Sequence, residues 1–253
     1  MGVLSAFLLL VAGLLCSVEA PAASAYSLQH QGISFDVYRL DKGEEQSLRF
    51  FWRRPDGTAY ATILGLNKDL ESRGERLLFA TNGGIYSREL TPLGLYVEGG
   101  RQLAPLSKGQ GGGNFFLKPN GVFYVTRGGA RVVETRRYKP KETVINAVQS
   151  GPVLVLNGAL HPGFIPGYHS RHIRNGVGVD GWGRVVFAIS NQPLNFHDFG
   201  TLFRDELKCP NALYLDGTLS QMYLPGLNRG VRWTWKPFVT MIGLVDGEPS
   251  ALD

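Results

Sequence analysis

Cysteine is nearly absent from the chain: only Cys16 and Cys209 occur in 253 residues. If residues 1–25 are removed as a leader, Cys209 stands alone and no internal disulfide can form. A domain of this length can hold itself by its core, so that absence is tolerable outside the cell. Cys209 precedes Pro210 and an apolar run, which reads as a buried, inert thiol rather than a nucleophile. Histidine is scarce too, with five residues. His169 and His172 have no third histidine or carboxylate nearby at ligand spacing, so no metal site and no cofactor is expected. Ser150 lacks a Gly-x-Ser-x-Gly elbow and is not read as a nucleophile. Neither an internal repeat nor a low-complexity linker interrupts the chain.

Long apolar runs are also missing. Val3–Leu15 is too short for an ordinary membrane span. It leads through Ser17-Val18-Glu19 into Ala23-Ser24-Ala25, a small-x-small cleavage pattern that predicts Tyr26 as the mature N-terminus. Residues 1–25 therefore read as a signal peptide and 26–253 as one domain, secreted or periplasmic. No Lys or Arg precedes the run, so an uncleaved anchor is the alternative. Cys16 follows Leu15 rather than a small residue, against lipidation. Removing the leader takes away Glu19 and no basic residue, raising the formal net charge from +5 to +6. A basic surface suits anionic ligands without specifying them. Export argues against nucleic acid as the partner.

What the chain has in quantity is glycine, 33 residues, with 14 prolines. That composition predicts many short strands joined by turns. Strands are expected at 33–40, 48–52, 77–80, 93–97, 114–117, 122–125, 131–134, 153–156, 176–179, 185–189, 212–215 and 239–245. Helices are expected at 58–72, from the spacing of Ala59, Ile63, Leu66 and Leu70, and at 199–207 with Asp198 as its cap. Strands that outnumber helices without alternating with them predict an α+β fold with a largely antiparallel sheet.

Four segments carry candidate chemistry. Asn82-Gly83-Gly84-Ile85-Tyr86 ends an apolar strand. Its glycines can take positive φ and approach a ligand, while Asn82 offers a donor and an acceptor and Tyr86 a stacking face. A plain hairpin turn is the other reading. Gln149-Ser150-Gly151-Pro152 leads into a buried strand and reads equally as a strand-entry turn. Arg171 and Arg174 precede the Gly176-Val177-Gly178 strand; their planar forks match phosphate oxygens, although a solvated basic loop has the same letters. Leu215-Asp216-Gly217-Thr218-Leu219-Ser220 delivers one carboxylate at the end of an apolar strand, where a rigid element would fix it. Phe115, Phe116, Tyr124, Trp233 and Trp235 could line a sugar site, but aromatics at strand spacing are more often core.

In this order and spacing, over roughly residues 77 to 245, the four segments resemble the phosphodiester glycosidase family, which includes the lysosomal enzyme that uncovers the mannose-6-phosphate tag. The likeness is to its secreted bacterial branch. Two departures stand out: Thr218 where the family usually has a second glycine after Asp-Gly, and Ile85 where an aromatic is frequent.

The resemblance implies a hydrolase that cleaves a sugar-1-phosphodiester. In that reading Asp216, Asn82 and Arg174 form the catalytic set. Gly83, Gly84, Tyr86, Gln149, Ser150, Gly151, Arg171, Gly217 and Ser220 bind substrate, with the arginines on phosphate. The expected partner is a sugar phosphate or an envelope glycan. A non-catalytic module for envelope glycans or anionic polymers is the alternative. A phosphodiesterase breaking the P–O bond would want paired metals and clustered His and Asp ligands.

Overall fold

Apolar residues alternate between two faces along most of the long strands, and the fold follows from burying both faces. The computed structural model describes residues 24–216, 219–231, 234 and 236–247. Gly217, Thr218, Trp233, Trp235 and nearly all of the expected leader lie outside them. Ser24 and Ala25, the last two leader residues by the sequence reading, open a strand paired with Arg39 and Tyr38.

Among the described residues sixteen strands form three sheets, and every strand pair is antiparallel. The largest is seven-stranded, ordered β1 (Ser24–His30), β2 (Ile33–Leu40), β13 (Val185–Ser190), β12 (Asn175–Val179), β14 (Asn211–Asp216), β10 (Val153–Leu156) and β11 (Ala159–Leu160). A four-stranded sheet is ordered β15 (Met222–Tyr223), β4 (Arg76–Asn82), β16 (Met241–Asp246) and β3 (Leu48–Phe51). A five-stranded sheet is ordered β6 (Arg101–Ala104), β5 (Tyr96–Glu98), β9 (Val144–Ser150), β7 (Gly121–Thr126) and β8 (Gly129–Glu134). With α1 (Ile63–Ser72) and α2 (Phe196–Thr201) on the outside, the class is α+β, as expected.

One apolar cluster joins all three sheets. Tyr38 and Phe187 come from the large sheet, Phe50 and Phe79 from the second, Tyr96 and Phe123 from the third. Their rings form a continuous chain: Tyr38 stacks on Phe79 at 4.4 Å, Phe79 meets Phe187 at 4.9 Å, and Phe187 meets Phe123 edge-on at 6.0 Å. Such pairs add about 0.5–1.5 kcal/mol each beyond the area they bury. The opposite face of the large sheet, with Phe35, Val37, Ala188 and Tyr214, is covered by Phe199 and Phe203 of the α2 region. Gly176 and Gly178 lie under that helix: a side chain would sit 3.2 Å from Phe199 and 2.9 Å from Phe203. The glycine-rich strand is thus a bed for close helix packing.

Three expectations are corrected. Asn114–Phe116 is a 3-10 turn rather than a strand, entered through Gly113 at φ 85°. Phe115 is core there, and Tyr124 packs edge-on against Tyr138. The first helix starts at Ile63, because Ala61 takes φ 63° and Thr62 caps Gly65 N through its hydroxyl at 2.9 Å. The second begins at Phe196 with Asn195 as its cap rather than Asp198, then continues as a π-helical turn over Leu202–Glu206.

Candidate active site

The sequence segments converge where the ends of the three sheets meet. β4 ends in Asn82, β9 in Ser150, and β14 in Asp216, beside the start of β12 at Asn175. Asn175 is fully buried and spends its amide on both sides of the junction. Its Nδ2 donates to Thr81 Oγ1 at 2.8 Å and to Asn82 O and Oδ1 at 3.1 Å each. Its Oδ1 accepts from Asp216 N and from Ser220 Oγ, both at 3.1 Å. Ser220 Oγ also donates to Asp216 O. Asn82 Oδ1 accepts from Gln221 N at 2.7 Å. Ser150 closes the third side: its hydroxyl donates to Leu215 O at 2.8 Å and accepts from Ile85 N at 3.4 Å.

Gly83 and Gly84 are needed here for space, not for positive φ, which neither adopts. A side chain on Gly84 would meet Gln149 O at 2.8 Å, and one on Gly83 would collide with Thr240. Gly151 is equally confined, with Asn120 Cβ at 2.7 Å from where its own would stand. Two buried polar atoms at the junction, Asn82 Nδ2 and Thr240 Oγ1, have no hydrogen-bond partner among the described residues. Unpaired buried donors are costly, and sites that meet ligands are where they persist.

Asp216 is 9 % exposed and lies near two phenols. Tyr86 donates to Pro237 O at 2.9 Å; burial, and then the Asp216 charge, raise its pKa. Tyr214, on the same β14 face by strand alternation, is driven up mainly by burial, with Asp216 adding to the effect and Arg174 opposing it. Both phenols therefore stay protonated beside the carboxylate.

Arg174 and Gln149 occupy places other than those expected. The Arg174 guanidinium is fully buried, 3.7 Å above the Phe196 ring. It donates to Leu194 O at 2.9 Å, Ser170 O at 3.1 Å and Tyr214 Oη at 3.3 Å. Burial lowers its pKa. It braces Tyr214 and the 170 loop. Gln149 is also buried, its amide enclosed by Leu95, Ser107 and Thr135. Arg171 stays exposed, donating from Nε to Pro193 O at 3.3 Å. Asn175, Thr81, Thr240 and Tyr214 were missed as site residues; a polar Asn opening a Gly-Val-Gly strand was the available signal for the first.

The phosphodiester glycosidase family model matches residues 75–245. YigE, an uncharacterised Escherichia coli K12 protein, is 39% identical over 225 residues, covering 89% of this chain and 87% of its own. The catalytic domain of zebrafish N-acetylglucosamine-1-phosphodiester alpha-N-acetylglucosaminidase, solved auto-inhibited by its pro-peptide, superposes with a TM-score of 0.62 at 14% identity, over 91% of this chain and 85% of that domain. A hypothetical Synechocystis protein follows at a TM-score of 0.52 and 16% identity, over 90% of this chain and 64% of that one.

Proposed function

Because the chain belongs to the phosphodiester glycosidase family, we propose that it hydrolyses the bond between a sugar's anomeric carbon and a phosphodiester oxygen, outside the cytoplasm. The observation that carries this reading is the convergence of Asn82, Ser150, Asn175 and Asp216 from three sheets on one point. The name of the zebrafish enzyme makes an N-acetylglucosamine-1-phosphodiester the first substrate to try.

A phosphodiester is a weak base and leaves readily, so it needs less protonation than the alcohol of an ordinary glycoside, where a second carboxyl serves as acid. One carboxylate then suffices. Asp216 supports the positive charge that develops at the anomeric carbon, either directly or by activating water. Tyr86 and Tyr214, protonated beside it, flank the carboxylate without adding a second negative charge. Asn82 offers its unpaired Nδ2 to a sugar hydroxyl. Arg171 meets phosphate from the rim. Arg174 acts through Tyr214 and the loop it holds. The apolar run Val3–Leu15 supports export to the periplasm or medium.

The test is hydrolysis of a synthetic N-acetylglucosamine-1-phosphodiester by wild type and Asp216→Asn. The expected outcome is turnover that falls roughly a thousandfold or more in the variant, a size typical of removing a group that acts in the transition state. An Asp216→Asn protein with full activity overturns the assignment. Glycan binding that survives in both proteins without turnover would support the non-catalytic module instead.

A further inference from the structure

A pocket of 630 Å³ opens beside the junction, and Lys108, Phe116, Lys118, Thr135 and Arg136 are among the residues lining it. Its charge is unbalanced. Among the described residues neither Lys108 nor Arg136 pairs with a carboxylate, and the pocket's acid, Glu134, faces Arg137 at 3.9 Å. Lys118 donates to Asn120 Oδ1 at 3.1 Å. Partial burial, and then the Arg136 charge, lower the Lys118 pKa.

Two buried amides build this pocket. Gln149, 2 % exposed, accepts from Ser107 N at 2.9 Å and donates to Ser107 O at 2.7 Å and to Thr135 Oγ1 at 3.1 Å. It therefore ties together the neighbours in sequence of Lys108 and Arg136. Asn120, 1 % exposed, holds Lys118 through Oδ1 and donates from Nδ2 to Phe115 O at 2.9 Å. The 3-10 turn Asn114–Phe116 spans the distance to the junction. Asn114 at one end lies near enough to the Tyr214 phenol to lower its pKa, and Phe116 at the other lines the pocket. Gln149 and Ser150, adjacent in one motif, thus serve the pocket and the Asp216 strand respectively.

We propose that this pocket is an anion subsite on the leaving-group side of the reactive centre, taking a phosphate monoester carried by the aglycone. The proposal rests on the glycosidase reading for its place in the reaction, but not for its chemistry. Two lysines supply point charges and Arg136 a planar fork, a combination suited to a dianion over a single carboxylate.

The experiment has two arms. In the first, inorganic phosphate and acetate are titrated at low ionic strength into wild type, Asp216→Asn and Lys118→Ala/Arg136→Ala, followed by NMR shifts. The substituted side chains are on the surface, and circular dichroism verifies the folds. Phosphate is expected to bind wild type and Asp216→Asn alike, at least tenfold more weakly to the double variant, with acetate binding none of them measurably. Equal phosphate affinity in wild type and double variant, or acetate as tight as phosphate, overturns the subsite. In the second arm, sugar-1-phosphodiesters with and without an aglycone phosphate are hydrolysed. The double variant should raise KM about tenfold only for the phosphorylated one; an equal rise for both overturns the leaving-group placement. Phosphate binding lost in the double variant, with no turnover by wild type on any substrate, would sink the glycosidase reading and leave the anion site standing.

Discussion

Asn175 holds Asp216 in place through a backbone contact, with Asp216 N and the Ser220 hydroxyl both on its Oδ1. Truncating it removes that acceptor and the donor shared by Thr81 and Asn82 in one step. Each buried group left unpaired costs about 1–3 kcal/mol. Asn175→Ala should therefore lose about 2–4 kcal/mol in urea unfolding, and turnover with it, because the carboxylate loses its anchor. A loss below about 1 kcal/mol would show that the three sheet ends are held by something else. At this scale the sequence was only partly readable. Asn82 and Asp216 stood out as polar letters at the ends of apolar strands, Ser150 before a buried strand and Ser220 just beyond one, and the junction gathers all four. Arg174 stood out as a phosphate-matching fork before a glycine-rich strand and is enclosed, because a guanidinium can be buried when aromatic faces and carbonyls surround it. No pattern in the letters separates those two outcomes.

The elements that sequence placed best are those with one dominant apolar signal. Strands 33–40 and 153–156 agree with the structure to the residue. β9 was not called a strand, because Asn146 and Gln149 interrupt its apolar pattern; both are buried, with amides satisfied by backbone groups that the linear sequence does not show nearby. Asn-Phe-Phe-Leu at 114–117 misled in the opposite sense, since two aromatics favour a strand until the glycines before them set a turn. The α2 start offers a quantitative check. Asn195 Oδ1 accepts from Asp198 N at 2.9 Å, and Asp198 Oδ2 accepts from Asn195 Nδ2 at 2.9 Å. The cap acceptor belongs to Asn195, so Asn195→Ala should cost about 1 kcal/mol and Asp198→Ala distinctly less, compared by urea midpoints at constant slope. The reverse order would return the cap to Asp198.

A single aromatic core shared by three sheets predicts one cooperative unit for the whole molecule, since no sheet keeps its inner face covered without the other two. Cys209 provides the probe. It is 1 % exposed beneath the large sheet, against Gly178, and burial pushes its thiol far above the ordinary range, so it is neutral and shielded in the native state. In a Cys16→Ser protein it is the only thiol, and a disulfide reagent reaches it only when the packing around β12 and the α2 region opens. If that packing is inseparable from the rest, the free energy of the opening that permits labelling, measured from its rate in low urea, should equal the unfolding free energy from tryptophan fluorescence. A labelling free energy several kcal/mol smaller would mean that the α2 region detaches by itself. Arg174 is buried against Phe196 and Tyr214 in that same layer, so a detaching α2 region would also release the brace behind Tyr214. Equal values would mean instead that the residues around Asp216 are kept in place by the stability of the whole chain.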